Sequence, residues 1–244
     1  VGKDKQVENR GRDGERKYAE DVTREKAERM DGTVTPSAFQ ILLLGDGNFS
    51  FSLALALKII RLHHEDEAER KLSLEEVGVP CDLRGEDFRI TATSFDSAEE
   101  LEFKYGDWPS IRDHLEKFPQ VELQHGINAW ELPKHFPGRT FDLIIWNHPH
   151  LGVEDFRLHR FLMAHFFHST AQCLRSGTGA VTVSVVSGQD ERWQIVTQAG
   201  YSKLRLRRRS VFHTAHWPGY VCKRNMTGRS FKNIATKRHV GQDM

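Results

Sequence analysis

Two short stretches combine residue types and spacing suited to chemistry. The first is Gly45-Asp46-Gly47, inside ILLLGDGNFSFSLALA at 41–56. An apolar run leads into the turn, and a run with helical spacing leads out. In such a strand–turn–helix unit, the first glycine permits the tight bend. The second lets a ligand approach the backbone without a Cβ in the way. The helix that follows aims its free N–H groups at the same point. Ser50 replaces the third glycine of G-x-G-x-x-G and no G-K-[ST] follows, which excludes a phosphate-binding P-loop. A plain tight corner is the bland alternative, so the turn alone is a weak signal.

The second stretch is Asn147-His148-Pro149-His150, which closes the apolar run FDLIIW. An amide at the mouth of a proline-stiffened loop suits a site that modifies a nucleobase. The amide can pair with a base edge, and the rigid backbone lets the base stack. The spacing resembles the N-P-P-Y loop of methyltransferases acting on base nitrogens, with His148 at the first proline and His150 at the aromatic. His150 could stack on a base or take a proton. Asp96 follows a second apolar run, where a carboxylate accepts from ribose hydroxyls, and Asn128 follows a third, where it could hold an adenine edge. His159, His165 and His168 raise the question of a metal. No carboxylate stands at ligand spacing beside His165 and His168, so packing or capping is the expected role and no metal is expected.

These residues need elements to position them. FQILLL, FRITATSF, a run at 121–125, FDLIIW and GAVTVSVV read as buried strands. Helical patterns separate them at 50–61, 97–105, 110–118 and 157–174, with a short one at 190–199. Strands alternating with helices imply parallel βαβ crossovers and an open, doubly wound α/β sheet. SKLRLRRRSVFH and GYVCKR read as a closing antiparallel pair. Residues 1–37 form a charged arm with few apolar positions, 63–87 a charged insertion, and 234–244 a basic tail, leaving 38–233 as the folded domain.

The chain has 244 residues, enough for one sizeable α/β domain. No apolar run reaches membrane-spanning length, and no targeting segment can be read. Cys81, Cys173 and Cys222 never form a C-x-x-C pair, which argues against disulfides and cysteine zinc sites and fits a reducing compartment. Net charge is only +1, yet eleven Lys or Arg stand against one acid from residue 201 onward. A localised basic end is a footprint for a polyanion, although a solvated strand and tail would read the same way.

With these pieces placed, the chain resembles the Rossmann-like methyltransferase domain of the eukaryotic large-subunit rRNA uridine-N3 methyltransferases. The matching pieces are LLLGDGNFSFSLALA, ITATSFDSAEEL, FDLIIWNHPHLG, LHRFLMAHFFHSTAQCL and WPGYVCKRNMTGRSF, in family order. The resemblance implies a mostly parallel, seven-stranded class I methyltransferase sheet with the antiparallel pair at its C-terminal end. It implies S-adenosylmethionine held by Gly45, Asp46, Gly47, Asn48, Phe49 and Ser50, with Asp96 on the ribose and Asn128 at the adenine. It implies methyl transfer to uridine N3 in ribosomal RNA, with Asn147, Pro149 and His150 at the base. Arg207, Arg208, Arg209, Tyr220, Lys223 and Arg224 would meet the RNA. Ribosomal RNA and ribosomal or pre-ribosomal proteins are the implied partners, and nucleolus or mitochondrion the implied location. His148 stands where the family usually has Phe, and Asn128 where it commonly has Asp. Leu43 fills a position that is acidic in many methyltransferases, which leaves Asp46 as the substitute. The alternative is a catalytically degenerate RNA-binding factor acting structurally in ribosome or mitoribosome assembly.

Overall fold

Side-chain alternation along the first strand decides the architecture. In the computed structural model, which describes residues 38–60 and 66–223, β1 spans Phe39–Leu44. Ile41 and Leu43 point into one buried cluster, Leu42 and Leu44 into another. A strand apolar on both faces must lie inside a sheet covered on both sides. β1 accordingly sits centrally between β2 (Phe88–Thr93) and β4 (Leu143–Asn147). With β3 (Val121–Gln124) and β5 (Ala180–Ser184) at the edges, the order is β3-β2-β1-β4-β5 and every pairing is parallel.

Helices α1 (Ser50–Ile60), α2 (Glu67–Val77), α3 (Ala98–Lys104) and α4 (Trp108–Leu115) cover the first face. Helices α5 (Leu132–His135), α6 (Phe156–Cys173) and α8 (Ile195–Tyr201) cover the second, with the short α7 (Gln189–Arg192) leading into α8. Local signals set the ends. Ser97 and Glu100 form a reciprocal capping box at the start of α3, with contacts of 3.2 and 2.9 Å. Asp155 caps α6 by accepting from the Arg157 and Leu158 amides at 2.7 and 3.2 Å. From β1 the chain steps outward to β2 and β3, then returns past β1 to β4 and β5. The strand order therefore reverses between β1 and β4, and the carboxyl ends of those strands flank the crevice where such folds bind ligands.

Three expectations differ from what is found. The described sheet has five strands, not seven, and residues 203–213 form no strand. Instead, Arg208 donates to the Glu75 carbonyl and Ser210 Oγ lies 3.4 Å from the Glu76 carbonyl, so the segment is pinned to the end of α2. Its alternation also fails as a packing pattern, because Leu206 and Val211 are exposed. The helix expected at 190–199 is two helices, broken where Gln194 takes a left-handed φ of 52°. The charged insertion at 63–87 contributes to the core: Leu74, Val77 and Val79 are buried there, and Asp66 caps α2 through the Ala68 amide at 2.6 Å.

Among the described residues no helix is long and apolar enough to cross a membrane. The arm at 1–37, the tail at 234–244 and Arg224 lie outside the described residues.

Candidate functional site

The glycine turn leaves β1 through Gly45, whose φ of +57° is left-handed. A Cβ added there would stand 2.9 Å from Trp146 Nε1, so both conformation and space require glycine. Phe49 is also left-handed, at φ 62°, a costly state for a bulky residue. Its fully buried ring lies 4.8 Å from the Trp108 ring and 5.5 Å from His125, and that packing holds the strained backbone. Asn48, buried, donates to Asp107 Oδ2 at 3.0 Å and accepts from the Ser50 amide at 3.3 Å.

Asp46 serves the turn as a helix cap. Its Oδ2 accepts from the Ser52 amide at 2.6 Å and from the Ser52 hydroxyl. Burial raises its pKa to about 7, against the opposing pull of the Ser52 and Phe51 donors. A carboxyl held above its ordinary value binds its proton more tightly in the folded chain than in the unfolded one. The resulting stability is intact below the unfolded value of about 4, shrinks as pH rises, and is gone above about 7. Its ceiling is about 4 kcal/mol. Urea unfolding between pH 4 and 8 should therefore show the wild type losing stability relative to Asp46→Asn as pH rises, with the difference flat above pH 7. A difference independent of pH would contradict a buried carboxyl at this position.

Across the crevice, Asn147 ends β4. Its Oδ1 accepts from Ser184 Oγ at 2.8 Å, which fixes the amide's orientation. His148 is left-handed at φ 51°, and its amide donates to the Ser184 carbonyl at 2.8 Å. Pro149 is buried. His150 turns elsewhere: its ring is 4.6 Å from that of His159, and its Nδ1 accepts from the Gly152 amide at 2.8 Å.

One cleft of about 460 Å³, open mouth included, joins the two stretches. Gly45, Asp46, Gly47, Asn48, Asn147 and His148 all line it. Phe49 and Ser50 support the turn from beneath. Asp96 is not in the lining and is paired with Lys104 Nζ at 2.7 Å. Asn128 is occupied locally, its Oδ1 accepting from the Trp130 amide at 3.0 Å. Of the expected RNA contacts, Arg208 holds α2, and Arg209 pairs with Asp190 at 2.9 Å, while Arg207 is exposed. Tyr220 and Lys223 line the cleft itself.

The sequence profile described as BMT5-like, rRNA (uridine-N3-)-methyltransferase BTM5-like, matches residues 42–224, well over half of the chain. This chain belongs to the BMT5-like family. An uncharacterized protein of Arabidopsis thaliana, At4g26485, is 27% identical over 79% of this chain and 85% of its own length. The heavy metal-associated isoprenylated plant protein 41 of the same plant is 31% identical over 77% of this chain. This chain spans only 33% of that relative. Among solved structures, a fibrillarin/Nop5p complex shares 11% identity over 67% of this chain and 61% of that one, with a TM-score of 0.40, too distant to bear on function.

The BMT5-like chain closes its cleft with residues remote in sequence. The segment 220–223 crosses the glycine turn: the Val221 amide donates to Ser50 Oγ at 3.2 Å, and Lys223 Nζ pairs with Asp107 Oδ2 at 3.1 Å. Tyr105, 1% exposed, brings its hydroxyl to 3.4 Å from the point a Cβ on Gly47 would occupy. That hydroxyl is buried and has no hydrogen-bond partner among the described residues. Burial pushes its pKa up to about 12, with the Asp96, Asp46 and Asp107 carboxylates adding to the effect, so it stays protonated and can donate. A buried donor without a hydrogen-bond partner close to the Gly47 backbone fits a polar ligand on the turn. Within the candidate site, the sequence marks His148 only as part of the 147–150 stretch and does not mark Tyr105. The left-handed conformation of one and the long-range packing of the other carry no local signature.

Proposed function

We propose that this chain is an S-adenosylmethionine-dependent methyltransferase acting on uridine N3 of ribosomal RNA. The observation that carries this reading is the meeting of the Gly45-Asp46-Gly47 turn and Asn147 in one cleft at the carboxyl ends of β1 and β4. Family membership supports the reaction class and substrate.

Gly45, Gly47, Asn48 and Tyr105 would hold the cofactor, with Asp46, Phe49 and Ser50 maintaining the turn. Asp96 is the ribose partner in this reading, and Lys104 would have to share or release it. When bound, the cofactor supplies a methyl group already activated on a cationic sulfur. The protein's remaining work is positioning and proton removal. The Asn147 amide, braced by Ser184, pairs with the uracil edge and presents N3. The buried Pro149 keeps the loop in place. As the N3–methyl bond forms, the N3 proton must leave, and His148, which lines the same cleft, is the acceptor this geometry favours over His150. Arg207 and Tyr220 face the RNA.

The test is to combine the purified full chain with methyl-labelled cofactor and an rRNA transcript, then digest to nucleosides for mass spectrometry. N3-methyluridine is expected. Absence of cofactor binding at millimolar concentration would overturn the reading.

One observation favours a second reading, a non-catalytic RNA-binding factor: the ribose carboxylate is already ion-paired to Lys104 at 2.7 Å. Arg207→Ala separates the two. Loss of RNA binding in a chain that takes up no cofactor supports the factor. Labelled uridine supports the enzyme.

A further inference from the structure

We propose that Glu76, His213 and His216 form a divalent-metal site, with zinc the best-matched ion, tying the chain segment before Trp217 to the end of α2. The ligand atoms of all three residues lie within 4.8 Å of one another. His213 Nδ1 is 2.6 Å from Glu76 Oε1, and His216 Nδ1 is 3.0 Å from the same oxygen. The two imidazole centroids are 4.8 Å apart.

The backbone builds this convergence. His213-Thr214-Ala215-His216 is an H-x-x-H segment folded through a short 3-10 turn, the His216 amide donating to the His213 carbonyl at 2.9 Å. The turn sets both rings on one side, facing the last turn of α2. The Glu76 side chain is 11% exposed and that of His216 is 22%. The His213 amide lies 3.4 Å from Glu76 Oε2, which orients the carboxylate.

One buried atom in this cluster has a close carboxylate but no hydrogen bond. His216 Nδ1 is buried and lies 3.0 Å from Glu76 Oε1, yet it makes no hydrogen bond among the described residues. A buried ring nitrogen without a bond is costly. A metal resolves it: with the ring proton on Nε2, the Nδ1 lone pair is free to coordinate.

Two imidazoles and one carboxylate are a donor set that zinc takes, with a fourth tetrahedral position left for water. Ligands 2.0–2.1 Å from a tetrahedral zinc stand about 3.3 Å apart. The present 2.6 and 3.0 Å separations therefore need to widen by about 0.7 and 0.3 Å, within side-chain reach. The site is separate from the cleft residues, and metal content can be read whether or not the chain transfers methyl groups.

The full chain, stripped with EDTA, would be loaded with zinc chloride, desalted, and counted for zinc by mass spectrometry. Cobalt(II) in its place gives the visible bands of a tetrahedral site. About one zinc per chain is expected. Glu76→Gln and His216→Gln should weaken binding by about 100-fold or more and abolish the cobalt bands. Because the chain carries 13 histidines, zinc retained equally by wild type and both variants would identify adventitious surface binding and overturn the proposal. So would a wild type that retains none. His213→Cys, which keeps a zinc-competent ligand, should retain the metal where His213→Gln loses it. That contrast distinguishes coordination from a fold that has merely loosened.

Discussion

Replacing Trp217 with alanine is expected to lower the free energy of unfolding by about 3–5 kcal/mol, the range for removing a buried large aromatic. The ring is 1% exposed. It lies 4.9 Å from Phe51, stacks on Phe212 at 6.2 Å with the planes 5° apart, and has Lys58 Nζ 5.4 Å from its centroid. Little around it can collapse into the void, because Phe51 belongs to α1, which packs on β2 and α4 in the same buried cluster. The melting temperature should fall by about 10 °C for a domain of this size. In urea, the midpoint should move while the slope stays constant. The same change should weaken cofactor binding, since residues 220–223 follow the tryptophan directly onto the glycine turn. A loss under about 1 kcal/mol would mean that this segment does not pack as described.

Asn147→Ala is expected to reduce methyl transfer to rRNA by about 100- to 1,000-fold, the effect of removing one preorganised hydrogen-bonding group at a reacting centre. Cofactor affinity should change less than transfer, because the proposed reading assigns the turn to the cofactor and the Asn147 amide to the base. Ser184→Ala, which leaves the amide present but unbraced, should cost about 10-fold. The order of those two losses is the informative result. Equal losses would point to collapse of the β4–β5 ends, and no loss in either would remove Asn147 from the reaction. Circular dichroism and a cofactor titration on each variant separate these cases.

The parts of this molecule that can be read from the amino-acid order are those determined locally. β1 and β4 are legible because strands buried on both faces leave near-continuous apolar runs. α3 is legible because Ser97 and Glu100 stand three apart before its first turn. The glycine turn and the loop at Asn147 are legible for the same reason, and the parallel order then forces them together at the switch between β1 and β4. What stays hidden is carried by contacts distant along the chain. α2 is masked by its glutamates, and only Leu74 and Val77 disclose its buried side. The basic alternation at 203–213 imitates a strand, yet its groups bond to the end of α2 and not to a sheet edge. The engagement of Asp96 by Lys104 bridges a strand end and the last residue of α3, a pairing that no periodicity announces. Glu76 and His213 meet across 137 positions, so neither residue signals the other.

The bond from Val221 to Ser50 joins positions 171 apart. Translation delivers the chain amino end first, so β1 and its turn leave the exit tunnel long before their cover exists. Strand pairing can begin on the nascent chain, but the cleft acquires its last wall only once residues 220–223 have been synthesised. A prematurely terminated product would thus keep a recognisable sheet while lacking a finished pocket, which makes competence for ligand a late event in this protein's biogenesis.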